Sequence, residues 1–172
     1  MPKLELHRLS KTELKIPGAD RWYVRREDPA VSVMTDFREH SSVTVGETAS
    51  IDAALEHMKH TGVRCAFVID EERRLVVGLV TAYEIMSEKP MRHMQALGIP
   101  RSQVLVRDLM LRIAEWRAVE FGALAGATVA SIERVFDETA LTHVPVVETS
   151  VKGETIIRGV LSAAKVRRLL AR

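Results

Sequence analysis

The chain of 172 residues holds a single cysteine, Cys65. One thiol can form no internal disulfide and no cysteine-based metal site. It lies in the apolar run Cys65-Ala66-Phe67-Val68-Ile69, where a buried, inert thiol is expected rather than a nucleophile. An excess of charge of one sign is also missing. There are 25 Lys and Arg against 23 Asp and Glu, for a formal net charge of +2 and a sequence pI of about 8.9. With neither a basic face nor a recognition motif, nucleic acid is not an expected partner. Arg25-Arg26 and Arg167-Arg168 read as solvated charge. No apolar run is long enough to cross a bilayer, and Met1-Pro2-Lys3-Leu4-Glu5 lacks the apolar stretch of a signal peptide. The expectation is a cytoplasmic protein with no membrane partner. Also missing are a Gly-x-Ser-x-Gly elbow, a phosphate-binding P-loop and a Cys–His pairing, so no enzymatic activity is expected. His57 and His60, at i, i+3 on one helix, and His93 have no carboxylate-rich motif beside them. They read as solvent-facing residues rather than as a metal site.

What is present is a duplication. Gly78-Leu79-Val80-Thr81-Ala82-Tyr83-Glu84 closes a strand-like run and opens a helix, and it recurs as Gly159-Val160-Leu161-Ser162-Ala163-Ala164-Lys165. With 47% hydrophobic residues, the chain suits one compact unit or two small ones sharing a core. The first copy opens at Val33-Met34-Thr35-Asp36, followed by a short strand at Val43-Thr44-Val45. Ser50 is an N-cap, Asp52 complements the helix dipole, and Ile51, Ala54, Leu55 and Met58 repeat at helical spacing up to a stop at Gly62. Apolar runs Cys65–Ile69 and Leu75–Val80 flank Asp70-Glu71-Glu72-Arg73-Arg74 and predict a hairpin; Thr81 then caps a helix carrying Ile85 and Met86.

The second copy repeats this order. Leu109-Met110-Leu111-Arg112 answers Val33–Asp36, and a short strand is expected around Ala118 to Phe121. Thr128 caps a helix with Val129, Ile132, Val135 and Phe136; Val144-Pro145-Val146-Val147-Glu148 and Ile156–Leu161 form the hairpin; Ser162 caps a last helix with Val166, Leu169 and Leu170. The reading is α+β: two β-α-β-β-α repeats packed as a pseudo-symmetric pair, over residues 29–86 and 104–172. An extension at 1–28, which Trp22-Tyr23 would anchor onto the body or onto a partner chain, precedes them. A helical segment at 87–103, bracketed by Pro90 and Gly98 and striped with Met91, Met94 and Leu97, joins them.

These residues resemble the cystathionine-β-synthase (CBS) domain family, whose members occur in tandem pairs called Bateman modules. The resemblance rests on the Val-Met-Thr-Asp opening, the helix after a capping Ser/Thr, the Val-Pro-Val-Val-acid strand and the Gly-aliphatic-x-Ser/Thr-x-x-acid junction, and covers about residues 30–172. It implies two clefts between the repeats that take adenosine ligands such as AMP, ADP, ATP or S-adenosylmethionine. It further implies regulation rather than catalysis, no tightly bound cofactor, frequent homodimers and a separate effector protein. In the family the junction hydroxyl contacts phosphate and the acid three residues on accepts from the ribose diol. Thr81 and Glu84 match this, Arg64 stands where a basic phosphate contact is common, and Met110, Leu141 and Thr142 would form the opposite wall.

Thr81-x-x-Glu84 is equally a capping box, which satisfies the helix start with no ligand at all. In the second copy Ser162 keeps the hydroxyl but Lys165 replaces the acid, and a cation in the first turn of a helix costs ~0.3–1 kcal/mol. Either Lys165 extends into water, or it joins Ser162 and His143 around an anion, with Met34, Thr35 and Cys65 completing a doubtful second site. The expected function is a stand-alone regulatory CBS pair that binds an adenosine ligand. The alternative is a structural dimerisation module with no ligand.

Overall fold

The computed structural model describes residues 23–150 and 152–170. Its elements follow from local chemistry. A 3-10 turn at Ala30–Val33 leads into β1 (Thr35–Asp36), and β2 (Thr44–Gly46) precedes helix α1 (Ile51–Thr61). The Ser50 hydroxyl accepts from the Ala53 amide at 3.2 Å, and Gly62 ends α1 at φ 71°, a backbone region in which a side chain is strained. β3 (Cys65–Asp70) and β4 (Leu75–Thr81) form the first hairpin, followed by α2 (Ala82–Met86). The joining segment supplies α3 (Lys89–Leu97), with Pro90 in its first turn and Gly98 at φ 67° as its stop, as the sequence predicts.

α4 (Val106–Leu109), β5 (Leu111–Arg112) and β6 (Val119–Glu120) open the second half. Then α5 (Phe121–Ala125) stands where the sequence suggested only the end of a strand. α6 (Val129–Thr139), the hairpin β7 (His143–Thr149) with β8 (Thr155–Ser162), and α7 (Ala163–Leu169) complete the chain.

The two four-stranded sheets run β2-β3-β4-β5 and β1-β8-β7-β6. Each sheet therefore takes its edge strand from the opening of the other repeat. The exchange is symmetric. Thr35 and Asp36 pair with Val160 and Gly159, while Leu111 and Arg112 pair with Leu79 and Gly78. Both hairpins carry an irregularity at the same place, between Val68 and Ile69 and between Val146 and Val147. Glycine is required at both crossings. A methyl group on Gly78 would sit 2.6 Å from Met110 Sδ, and one on Gly159 would meet the Thr35 carbonyl and, at 3.1 Å, Met34 Sδ.

Two cores result. The first buries Ile51, Met58, Val68, Val80, Ile85, Val104, Val106 and Leu109. The second buries Val24, Ala30 and Val33 together with Leu124, Val129, Ile132, Phe136, Val146, Leu161 and Val166. Val24 lies parallel to Leu170 and donates its amide to the Leu169 carbonyl at 2.6 Å. Trp22 falls outside the described residues and the Tyr23 ring is exposed; among the described residues, buried Val24 ties this end to the body.

Candidate functional site

The symmetry of the exchange sets eight positions in register, as four pairs. Gly78, Thr81 and Glu84 of the first repeat, with Met110 packed over Gly78, correspond to Gly159, Ser162 and Lys165 of the second, with Met34 packed over Gly159. The two junctions differ from this point on.

At the first junction the capping box is formed. Thr81 Oγ1 accepts from the Glu84 amide at 3.2 Å, and Glu84 Oε2 accepts from both the Thr81 amide and the Thr81 hydroxyl at 3.3 Å. Glu84 Oε1 accepts from Lys89 Nζ at 2.8 Å. A carboxylate offers about four lone-pair positions, and these donors fill three, which leaves one on Oε1. Thr81 itself is buried. Lys89 is the partner that the sequence reading missed. It lies five residues beyond Glu84, past the end of α2, so helical spacing does not point to it.

Glu84 and Met110 face each other across a cleft of about 400 Å³, walled by Lys89, Arg92 and His93 of α3 and by Asp108, Leu111 and Glu115. His93 Nε2 lies 3.6 Å from Asp108 Oδ2. A larger cavity, about 690 Å³, opens between the repeats on the other face of α2. Its walls include Met58, Val63, Tyr83 and Ala163, with Lys59, Arg64, Thr142, His143 and Arg167 as polar groups. α2 thus divides the expected first-site residues, with Glu84 and Met110 on one side and Arg64 and Thr142 on the other. Leu141 packs against the second core.

Burial and the nearby Arg64 guanidinium lower the His143 pKa to about 4, so the ring is neutral near pH 7. His143 Nδ1 lies 3.1 Å from Thr142 Oγ1. Cys65 stands opposite Thr81 in the first hairpin, and burial raises its thiol to about 12, which keeps it protonated.

At the second junction Lys165 neither extends into water nor gathers with Ser162 and His143. Its Nζ donates to the Met34 carbonyl at 2.9 Å and to Thr35 Oγ1 at 3.2 Å. Burial, with a smaller contribution from Arg168, lowers its pKa. Ser162 makes no side-chain capping bond, and a lysine three residues on, which can only donate, also cannot return the reciprocal bond of a capping box. The Met34–Asp36 segment is further fixed by Arg158. Its Nε and Nη2 reach Asp36 Oδ1 and Oδ2 at 2.9 and 2.6 Å, and its guanidinium lies 4.6 Å from the centre of the Phe121 ring. Arg158 holds the Asp36 carboxyl below its usual range.

His57 and His60 are exposed on α1. Among the described residues no group of three His, Cys, Asp or Glu side chains is placed to hold a metal ion, and no helix is long and apolar enough to cross a membrane.

Residues 24–90 match the family model for the CBS domain. The architecture is similar to solved structures of the CBS-pair protein CBSX2 from Arabidopsis thaliana. The match has 24% identity over 82% of this chain and 92% of that one, at a TM-score of 0.52. The fold is that of a tandem CBS pair. A CBSX2 structure in complex with AMP matches at 24% identity, covering 82% of this chain and 94% of that one, with a TM-score of 0.54. An uncharacterized conserved protein from Pyrococcus horikoshii matches at 19% identity over 83% of this chain and 91% of its own, with a TM-score of 0.56. No curated protein matches. In this fold the exchange of edge strands brings the opening segment of each repeat beside the junction of the other. The Glu84–Met110 cleft is therefore built from both repeats.

Proposed function

We propose that this CBS pair is a regulatory module that binds an adenosine ligand (AMP, ADP, ATP or S-adenosylmethionine) in its first cleft. One observation carries the reading: Glu84, with one acceptor position still open, faces Met110 of the other repeat across the cleft of about 400 Å³. That volume lies within the ordinary range for small-molecule pockets, roughly 300–1,000 Å³. In this cleft a ribose diol would donate to Glu84; Arg64 and Thr142 line the cavity on the other face of α2 and stand apart from it. The AMP complex of CBSX2, a protein of the same fold, supports this choice of ligand class.

Because the walls of the cleft come from both repeats, a bound ligand favours one relative arrangement of the repeats over others. That population shift, in one pair or in a homodimer, would be read by a separate effector protein in the cytoplasm. No step calls for a catalytic group or a resident cofactor.

A second reading is favoured by the completed capping box, which gives Thr81 and Glu84 a structural role as they stand. There the pair is an interaction module without ligand. Glu84→Gln separates the two, because glutamine keeps the capping geometry but removes the charge that pairs with Lys89 and accepts from a diol. Calorimetric titration with AMP, ADP, ATP and S-adenosylmethionine should give saturable binding to the native chain and at least tenfold weaker binding to Glu84→Gln. Absence of saturable binding by all four ligands would leave only the interaction module.

A further inference from the structure

The two junctions are related by the pseudo-symmetry of the fold, yet Glu84 faces open space at the first while Lys165 bridges to the opposite wall at the second. In the first cleft, Met110 and Leu111 line open space opposite Glu84. The equivalent pair in the second cleft is Met34 and Thr35, and both of these receive hydrogen bonds from Lys165. Lys165 is partly buried and lies 131 residues from Met34 in sequence, so this bridge joins the last helix to the opening segment of the chain.

We infer that Lys165 is the resident occupant of the second cleft. Its ammonium takes the acceptors on the opposite wall, and the pair is left with one nucleotide site per chain. The part of this inference that concerns stoichiometry rests on the function proposed above; the closure itself does not. The chemistry is consistent across the cleft. An ammonium has three protons to donate and nothing with which to accept from a ribose diol, whereas a carboxylate accepts and does not donate. The same bridge straps β1 to α7. It works alongside the Arg158–Asp36 ion pair, which has no counterpart at the equivalent Arg112 and Val77 positions, where neither residue is acidic. The second cleft is thus held shut by the side chain that replaces the acid.

Calorimetric titration with AMP of the native chain, Lys165→Glu and Lys165→Met, each checked for folding by circular dichroism, tests the stoichiometry. The expected result is one AMP per native chain, one for Lys165→Met, and two for Lys165→Glu, which restores the arrangement at Glu84. Two AMP per native chain, or an unchanged stoichiometry in folded Lys165→Glu, would overturn the inference. If none of the three binds AMP, the nucleotide reading fails, and reductive methylation of the native chain decides the closure on its own. Mass spectrometry should then show Lys165 methylated several-fold more slowly than the exposed Lys59, and equal rates would sink it.

Discussion

At His143 the low-dielectric surroundings and the neighbouring Arg64 hold the imidazole neutral down to about pH 4, whereas in the unfolded chain it protonates near 6.5. The folded pKa is the lower of the two, so between these values the unfolded chain binds more protons and stability falls as pH falls. The loss begins near pH 6.5 and is complete below about 4, reaching roughly 3 kcal/mol for a shift of this size. Urea denaturation of the native chain across this window should show the slope, and His143→Gln should flatten it. Single residues also explain why the site was partly legible. Thr81, Glu84 and Met110 declare themselves through local motifs, and the structure brings Glu84 and Met110 face to face. The bonds of Lys165 and the burial of His143 depend on residues far away in sequence, which no local pattern encodes.

Elements show the same division. The Ser50 cap, the Gly62 and Gly98 stops and both hairpins were legible because each rests on chemistry within a few residues. Ser50→Ala should therefore cost about 1 kcal/mol of stability in thermal or urea unfolding. Ser162→Ala should cost little, since that hydroxyl makes no capping bond, even though both serines read as caps in the sequence. Helix α5 was missed because five residues are too few to show a helical period, and Gly122 and Gly126 argue against one. β1 and β5, two residues each, could be expected as extended segments but carry no mark of their partners. What fixes those partners is close packing at a glycine. Gly159→Ala would drive a methyl group onto the Thr35 carbonyl, so β1 must move. Denaturation should register a loss at the upper end of the ~1–3 kcal/mol usual for overpacking. Gly78→Ala meets the flexible end of Met110 as well as the Leu111 carbonyl, and should cost less.

For the whole molecule, the exchange of edge strands makes each sheet depend on the other repeat. A cut in the exposed stretch between α2 and α3 would leave one fragment lacking β5 and the other lacking β1. Neither half should fold alone, while the two mixed together should recover the native circular dichroism spectrum. Independent folding of either half would show that the exchanged strands are dispensable. The two-repeat order was legible because it repeats; the interleaving was not, because it lies in pairings between the repeats, such as Thr35 with Val160 and Leu111 with Leu79, that no local pattern marks. The Val24–Leu170 bridge carries one more consequence. With these two positions side by side, a linker of a few residues can join them, and the chain can be opened instead at the turn around Gly153 between β7 and β8. Such a circular permutant should keep both sheets. It would also carry any fused reporter from that opposite hairpin, which places the order of the chain, rather than its shape, at the disposal of an engineer.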